Sequence, residues 1–129
     1  MQPEHRRAVE ALYREAVALA DRARGWFDGS AAAWRATLDV ADQALVATES
    51  LATTARLLAI IAWALDPRQA AALVPFVRRD ADTPVAALLL DSTGGEIAAA
   101  ARRLTARAAA LTPGTDVTPP PAANLWRSA

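Results

Sequence analysis

Glu49, Thr53, Arg56, Ile60 and Trp63 recur at steps of four, three, four and three residues, which sets them on one stripe of a helix. A carboxylate, a hydroxyl, a guanidinium and an indole in one line are groups for recognition rather than bond-making. Arg and Trp are the side chains that most often anchor binding hot spots. The stripe therefore reads as a partner interface. It also fits an ordinary bundle edge, with Glu49 and Arg56 in solvent and Trp63 half covered. A second candidate lies near the C-terminus, where Leu125, Trp126 and Arg127 end a Pro-rich stretch. An aromatic and a leucine on such a tether form a short docking motif, because tethering raises the local concentration of what it carries. The alternative is that Trp126 folds back onto the bundle.

Catalytic chemistry finds little support. His5 is the only histidine and falls in the first turn of a helix, without the positioned partner a general base needs. The chain has no nucleophile elbow, paired-carboxylate cleft or metal-ligand cluster. Gly94-Gly95 lacks the preceding strand and following Lys of a phosphate cradle. No catalytic, cofactor-binding or metal residue is assigned, and the chain reads as non-enzymatic.

The elements that carry these residues are helical. Val9, Leu12, Tyr13, Ala16, Leu19, Ala20, Ala23, Trp26 and Phe27 mark one buried face of a first helix over residues 3–27. Asp28-Gly29 should end it with a left-handed cap, and Ser30 should cap the next helix. No Gly or Pro interrupts residues 31–65, so a second helix ~50 Å long is expected there. Its last third is apolar on all sides. At 100° per residue Leu57, Leu58, Ile61 and Leu65 share a core-facing side, and Trp63 projects from the other. That doubly apolar end asks for a second surface, and a homodimer through Trp63 supplies one.

Asp66-Pro67 stops the second helix and starts a short helical insert, with Asp66 as cap and Pro67 in the first turn. Pro75 should limit this helix to about residue 77. Asp82-Thr83-Pro84 is another start, and the apolar run 85–90 can cover one end of the bundle. Gly94-Gly95 breaks the run, with Thr93 and Glu96 placed to cap a third long helix over 96–111. Ile97, Ala101, Leu104, Ala108 and Leu111 give it a packing seam. From Thr112 the chain is Pro-rich and polar, which predicts a disordered tail over 112–129 beside a helical domain over 1–111. The fold class is all-α, a three-helix bundle with a long second helix.

Composition agrees. Of 129 residues 53% are hydrophobic but only 5% aromatic, so the excess is Ala and Leu, which favours close helix packing. Fourteen basic and fourteen acidic residues cancel, so no bulk charge steers the chain toward phosphates. The pairs Arg6-Arg7, Arg78-Arg79 and Arg102-Arg103 read as solvated helix faces. Absent cysteines fit a reducing compartment. The N-terminus lacks a signal-peptide core, and the apolar run 57–65 is about half of a membrane span of ~18 residues. A soluble cytoplasmic protein without membrane insertion is expected.

Residues 48–65 carry a family resemblance. Thr48, Glu49, Ser50, Thr54, Arg56, Leu57, Ile60, Trp63 and Leu65 match, without a gap, the signature helix of the regulator of CtrA degradation, a bacterial cell-cycle adaptor of the ClpXP protease. Leu12-Tyr13-Arg14-Glu15 and Asp28-Gly29 are similar to that family's opening helix. Leu104, Ala106, Arg107 and Leu111 resemble its last one. The pattern departs at Ala52, Ala55 and Ala59, where the family has Arg, Thr and Gln. The stretch 66–95 is shorter and different.

The resemblance implies a three-helix bundle that dimerises. It also implies an adaptor that joins a response-regulator-type adaptor at ClpXP and tethers protein substrates, the cell-cycle regulators, for degradation. It favours the interface reading of the 49–63 stripe. A helical DNA-associated regulator using its Arg pairs, or a remote all-α enzyme, are the alternatives. Binding that weakens steeply with salt would mark the first of these.

Overall fold

The structure, a computed structural model, describes residues 2–112. They are all-α, with no strand among the described residues. Three long helices, α1 (Pro3–Gly25), α3 (Val40–Leu65) and α5 (Thr93–Ala110), contact one another pairwise and enclose the core. The short α2 (Ala32–Ala36) joins the first two. A 3₁₀ segment (Pro67–Leu73) and α4 (Val74–Asp82) lie across α3 and α5.

Helix α1 starts where Pro3 costs nothing, in the first turn, and buries Val9, Leu12, Ala16, Leu19 and Ala23. That stripe is narrow and rich in alanine. Tyr13, expected in the core, stands at its edge and is 37% exposed. The helix does not end at Asp28-Gly29. Its last turn widens into a π-helical turn over Trp26–Ser30, closed by the Ala31 N–H donating to the Trp26 carbonyl at 2.9 Å. Gly29 does not take up a left-handed backbone, and Ser30 caps nothing. The wide turn swings Phe27 into the core and sets Trp26 edge-on against it, with ring centroids 4.9 Å apart.

The long second helix is broken. Thr37 to Asp39 interrupt it although no Gly or Pro is present. The Thr37 hydroxyl donates to the Trp34 carbonyl at 2.6 Å, and the Gln43 amide donates to the Leu38 carbonyl at 2.9 Å. Asp39, in extended conformation, accepts from the Asp42 N–H at 2.8 Å and caps α3. Side chains thus satisfy the backbone groups that a continuous helix would have paired. At the far end Asp66 behaves as expected, accepting from the Arg68 N–H at 3.1 Å. The Arg68 guanidinium beside it, then that N–H, hold its carboxyl below the usual range.

Pro75 does not limit the insert helix but opens it. It sits in the first turn of α4, which runs on to Asp82. Thr83 leaves in extended conformation, and a 3₁₀ turn over Ala87–Leu89 drops Leu89 into the core. Ser92, not Thr93, caps α5 by accepting from the Gly95 N–H at 3.2 Å. The seam Ile97, Ala101, Leu104 and Ala108 is buried as expected, and Leu111 is half-buried. By length and composition α3 could cross a membrane, and a third of that stretch is buried against the rest of the bundle.

Gly94 and Gly95 open α5 rather than break the chain, because two groups press on them. A methyl on Gly94 would stand 2.3 Å from the Trp26 ring, and one on Gly95 would stand 2.0 Å from the Leu89 carbonyl oxygen. Gly25 has helical angles and nothing within 4 Å. Gly95→Ala should therefore lower stability by roughly 1–3 kcal/mol or more, since a carbonyl cannot step aside. Gly25→Ala should raise it by roughly 0.4–1 kcal/mol. Urea midpoints of the two variants check the sign of each.

Candidate functional site

The five-residue stripe on α3 faces inward. Glu49 is 9% exposed, Thr53 0%, Arg56 1%, Ile60 0% and Trp63 2%. These residues are the centre of the core, not an open partner interface, and Trp63 is not the outer side of a dimer. The residues expected to be core divide instead. Leu57 is buried and Ile61 half-buried, but Leu58 is 61% and Leu65 71% exposed. The helix is rotated by roughly a third of a turn from the sequence expectation, which keeps Leu57 inside.

Charge pairing explains the rotation. Between Gln43 and Leu65 the only ionised side chains are Glu49 and Arg56, seven residues apart on one face. Arg56 lies between two carboxylates, with Nη2 2.5 Å from Asp80 Oδ1 on α4 and Nη1 3.7 Å from Glu49 Oε1. Arg102 of α5 joins through Nη2, 3.8 Å from Glu49 Oε2, and its Nη1 donates to the Thr83 carbonyl. The Phe76 ring of α4 sits 5.9 Å from the Arg56 guanidinium carbon, within cation–π range. Two cations and two anions thus neutralise one another where α3, α4 and α5 meet. Burying such a set costs several kcal/mol per ion in lost hydration, offset only if geometry and hydrogen bonding are good.

Here hydrogen bonding is incomplete. Glu49 Oε1, Thr53 Oγ1, Arg56 Nε, Arg56 Nη1 and Arg102 Nε are buried without a hydrogen-bond partner in the protein. Each such group costs roughly 1–3 kcal/mol. The cluster fixes how α4 lies on the bundle at a real cost in stability. It also removes Arg102 from the surface, so of the Arg102-Arg103 pair only Arg103 is exposed.

Asp80, Arg102 and Phe76 escaped sequence reading because they come from other elements. The signal that could have found the cluster was the isolation of two opposite charges, one heptad apart, in the otherwise uncharged stretch from Gln43 to Leu65. Such charges are tolerated inside when they have partners.

The rotation leaves a continuous seam outside. Val40, Ala44, Ala47, Leu51, Thr54, Leu58, Ile61 and Leu65 follow one another at steps of four and three, and all but the half-buried Ile61 are exposed. Val40 is 84% and Leu51 72% exposed. No charge interrupts this face. It is ~39 Å long by ~10 Å wide, the dimensions of one helix side. Beside it a groove of ≈ 340 Å³ between α1 and α3 includes Asp21, Arg24, Phe27, Thr54 and Leu58 among its walls. Of the four hydroxyl side chains on this part of α3, Thr48 and Thr54 are exposed, Ser50 is half-buried and Thr53 is buried. Leu125, Trp126 and Arg127 lie outside the described residues. No group of three or more His, Cys, Asp or Glu placed to hold a metal occurs among the described residues.

Fold and site together define an all-α bundle with a charged core and an uncharged outer face on its central helix. The chain belongs to the family described as Protein of unknown function (DUF1465), whose family model matches residues 2–73, from α1 through the turn after α3. No curated protein and no solved structure matches the chain.

Arg56→Leu strands Asp80, leaves Glu49 only the 3.8 Å contact to Arg102 and should cost roughly 3–5 kcal/mol. Trp63→Ala should cost a similar amount, roughly 3–5 kcal/mol, by opening a cavity. Leu58→Ala on the outer face should stay within roughly 0.5 kcal/mol. Denaturation midpoints at a single low protein concentration would reverse the assignment if Leu58→Ala were the most damaging of the three.

Proposed function

We propose that this chain is a non-enzymatic adaptor that promotes ClpXP-dependent degradation of cell-cycle regulators by tethering them, acting with a response-regulator-type adaptor in the cytoplasm. The observation that carries the reading is the exposed, uncharged seam on α3. Apolar patches of several hundred Å² on a single surface mark interaction sites. This one runs along the helix on which the resemblance to the regulator of CtrA degradation is densest, from Thr48 to Leu65. An adaptor supplies no bond-making groups; it raises the concentration of a substrate at the unfoldase.

Homodimerisation belongs to the same reading, moved from Trp63 to the opposite side of α3. Leu51, Leu58 and Leu65 stand seven residues apart, with Ala44, Ala47, Ala55 and Ala62 between and beside them. Leucine knobs alternating with alanine holes let two such helices approach closely about a two-fold axis. Reading the chain as a DNA-binding regulator loses ground, since Arg102 is occupied inside.

Light scattering at micromolar concentration should give about twice the 13.6 kDa chain mass. Leu58→Glu should return the monomer mass with helicity unchanged, because the side chain is outside the core. In a reconstituted degradation reaction with ClpXP and a response-regulator-type adaptor, adding the chain should accelerate loss of at least one cell-cycle regulator. A clean monomer at every concentration removes the dimer. Unaltered degradation of every substrate tried removes the adaptor.

A further inference from the structure

We propose that α4 is a displaceable strap over a carboxylate receptor formed by Arg56 and Arg102, and that a partner helix carrying an aromatic and an acidic residue four apart takes its place. This stands apart from the adaptor reading, for it rests on the buried cluster and not on the α3 seam.

None of the nine residues of α4 is buried. Its hold on the bundle comes through the half-buried Val74, Phe76, Val77 and Asp80, and through the Leu73 anchor just before it. Its entry is the 3₁₀ segment Pro67–Leu73, and its exit is an extended stretch beginning at Thr83. Beneath lie side chains that no ordinary packing surface would present: Arg56 at 1% exposure, Thr53 at 0% and Glu49 at 9%.

Charge and donor count say what the covered site accepts. Arg56, Arg102, Glu49 and Asp80 sum to zero. Lifting α4 removes Asp80 and leaves one net positive charge. It also frees Arg56 Nη2, beside Nε, which has no hydrogen-bond partner in the protein, and Nη1, which has only the 3.7 Å ion-pair contact to Glu49. A planar guanidinium with its fork open recognises a carboxylate in two-point fashion. In the closed state Asp80 meets only Nη2, so the native occupant uses the fork incompletely. Phe76 and Asp80, at i and i+4 on one helix face, lay a ring and a carboxylate over the same guanidinium. A partner helix with that pair reproduces both contacts.

The probe is a labelled peptide of residues 70–84, the strap itself, titrated into the full chain and into Asp80→Asn. Binding to Asp80→Asn should be at least ~10-fold tighter than to the unmodified chain, a difference of one decade in Kd. A peptide with Asn in place of Asp80 should lose that gain. Equal affinity for the two proteins, or indifference to the peptide's carboxylate, overturns the receptor. Hydrogen exchange on the unmodified chain supplies the second reading and needs no variant. Amides of residues 76–82 should exchange at least ~100-fold faster than those of 50–63, as local opening requires. Equal protection of the two segments overturns the strap.

Discussion

The orientation of α3 depends on one side chain, Arg56. A guanidinium at 1% exposure has to find anions, and it finds them on two elements: Glu49 a heptad earlier on the same helix and Asp80 on α4. Once Arg56 is inside, the phase of α3 is set. Thr53, Ile60 and Trp63 follow it into the core by helical spacing, and Leu51, Leu58 and Leu65 are left outside. Arg102 then has a reason to turn inward from α5, because Glu49 retains an oxygen for it. The position of α4, the burial of Trp63 and the bare leucine face all follow from one buried charge.

Much of this fold is legible in the chain. Three long helices, an insert between the last two, the α1 face through Val9, Leu12, Ala16 and Leu19, and the α5 seam through Ile97 and Leu104 all follow from periodicity and caps. Asp66-Pro67 works because a cap and a Pro at the first turn are local chemistry. What periodicity could not give was the phase of α3. A helix that is apolar on all sides has no single face that water rejects more than the others, so periodicity alone leaves its rotation open. The usual rule, leucine inside and arginine outside, chose the wrong side. It failed because it weighs residues singly, whereas a charge is buried together with its partners, here brought by α4 and α5.

The other departures have local causes of the same kind. The break at 37–39 carries no Gly or Pro, yet Thr37, Gln43 and Asp39 each offer a side-chain hydrogen bond that competes with the helix ladder. Gly94-Gly95 reads as punctuation, but each glycine answers a neighbour from another element: the Trp26 ring and the Leu89 carbonyl. The π-helical turn that places Trp26 and the close start of α5 are therefore one packing event. Tyr13 shows the converse. An alanine-lined contact leaves no depth for a large ring, so a residue of suitable hydrophobicity stays at the rim.

Two costs fall on the same helix. Inside, α3 carries charges whose hydration is lost and whose hydrogen bonding is incomplete. Outside, it carries leucines that water does not favour. Exchanging the two faces would solvate Glu49 and Arg56 and bury Leu51 and Leu58, but it would also expose Val46, Ile60 and Trp63. The apolar side chains of the inner stripe therefore hold the orientation that the ion pairs share with them, although well-packed apolar groups in place of those pairs could be as stable or more so. The outer cost vanishes if another apolar surface covers the seam. The inner cost becomes useful if α4 must lie in one place and yet come away, since an ion pair can be replaced by another carboxylate while a packed leucine cannot. On the readings proposed above each resolution would involve a second molecule, one at each face of α3.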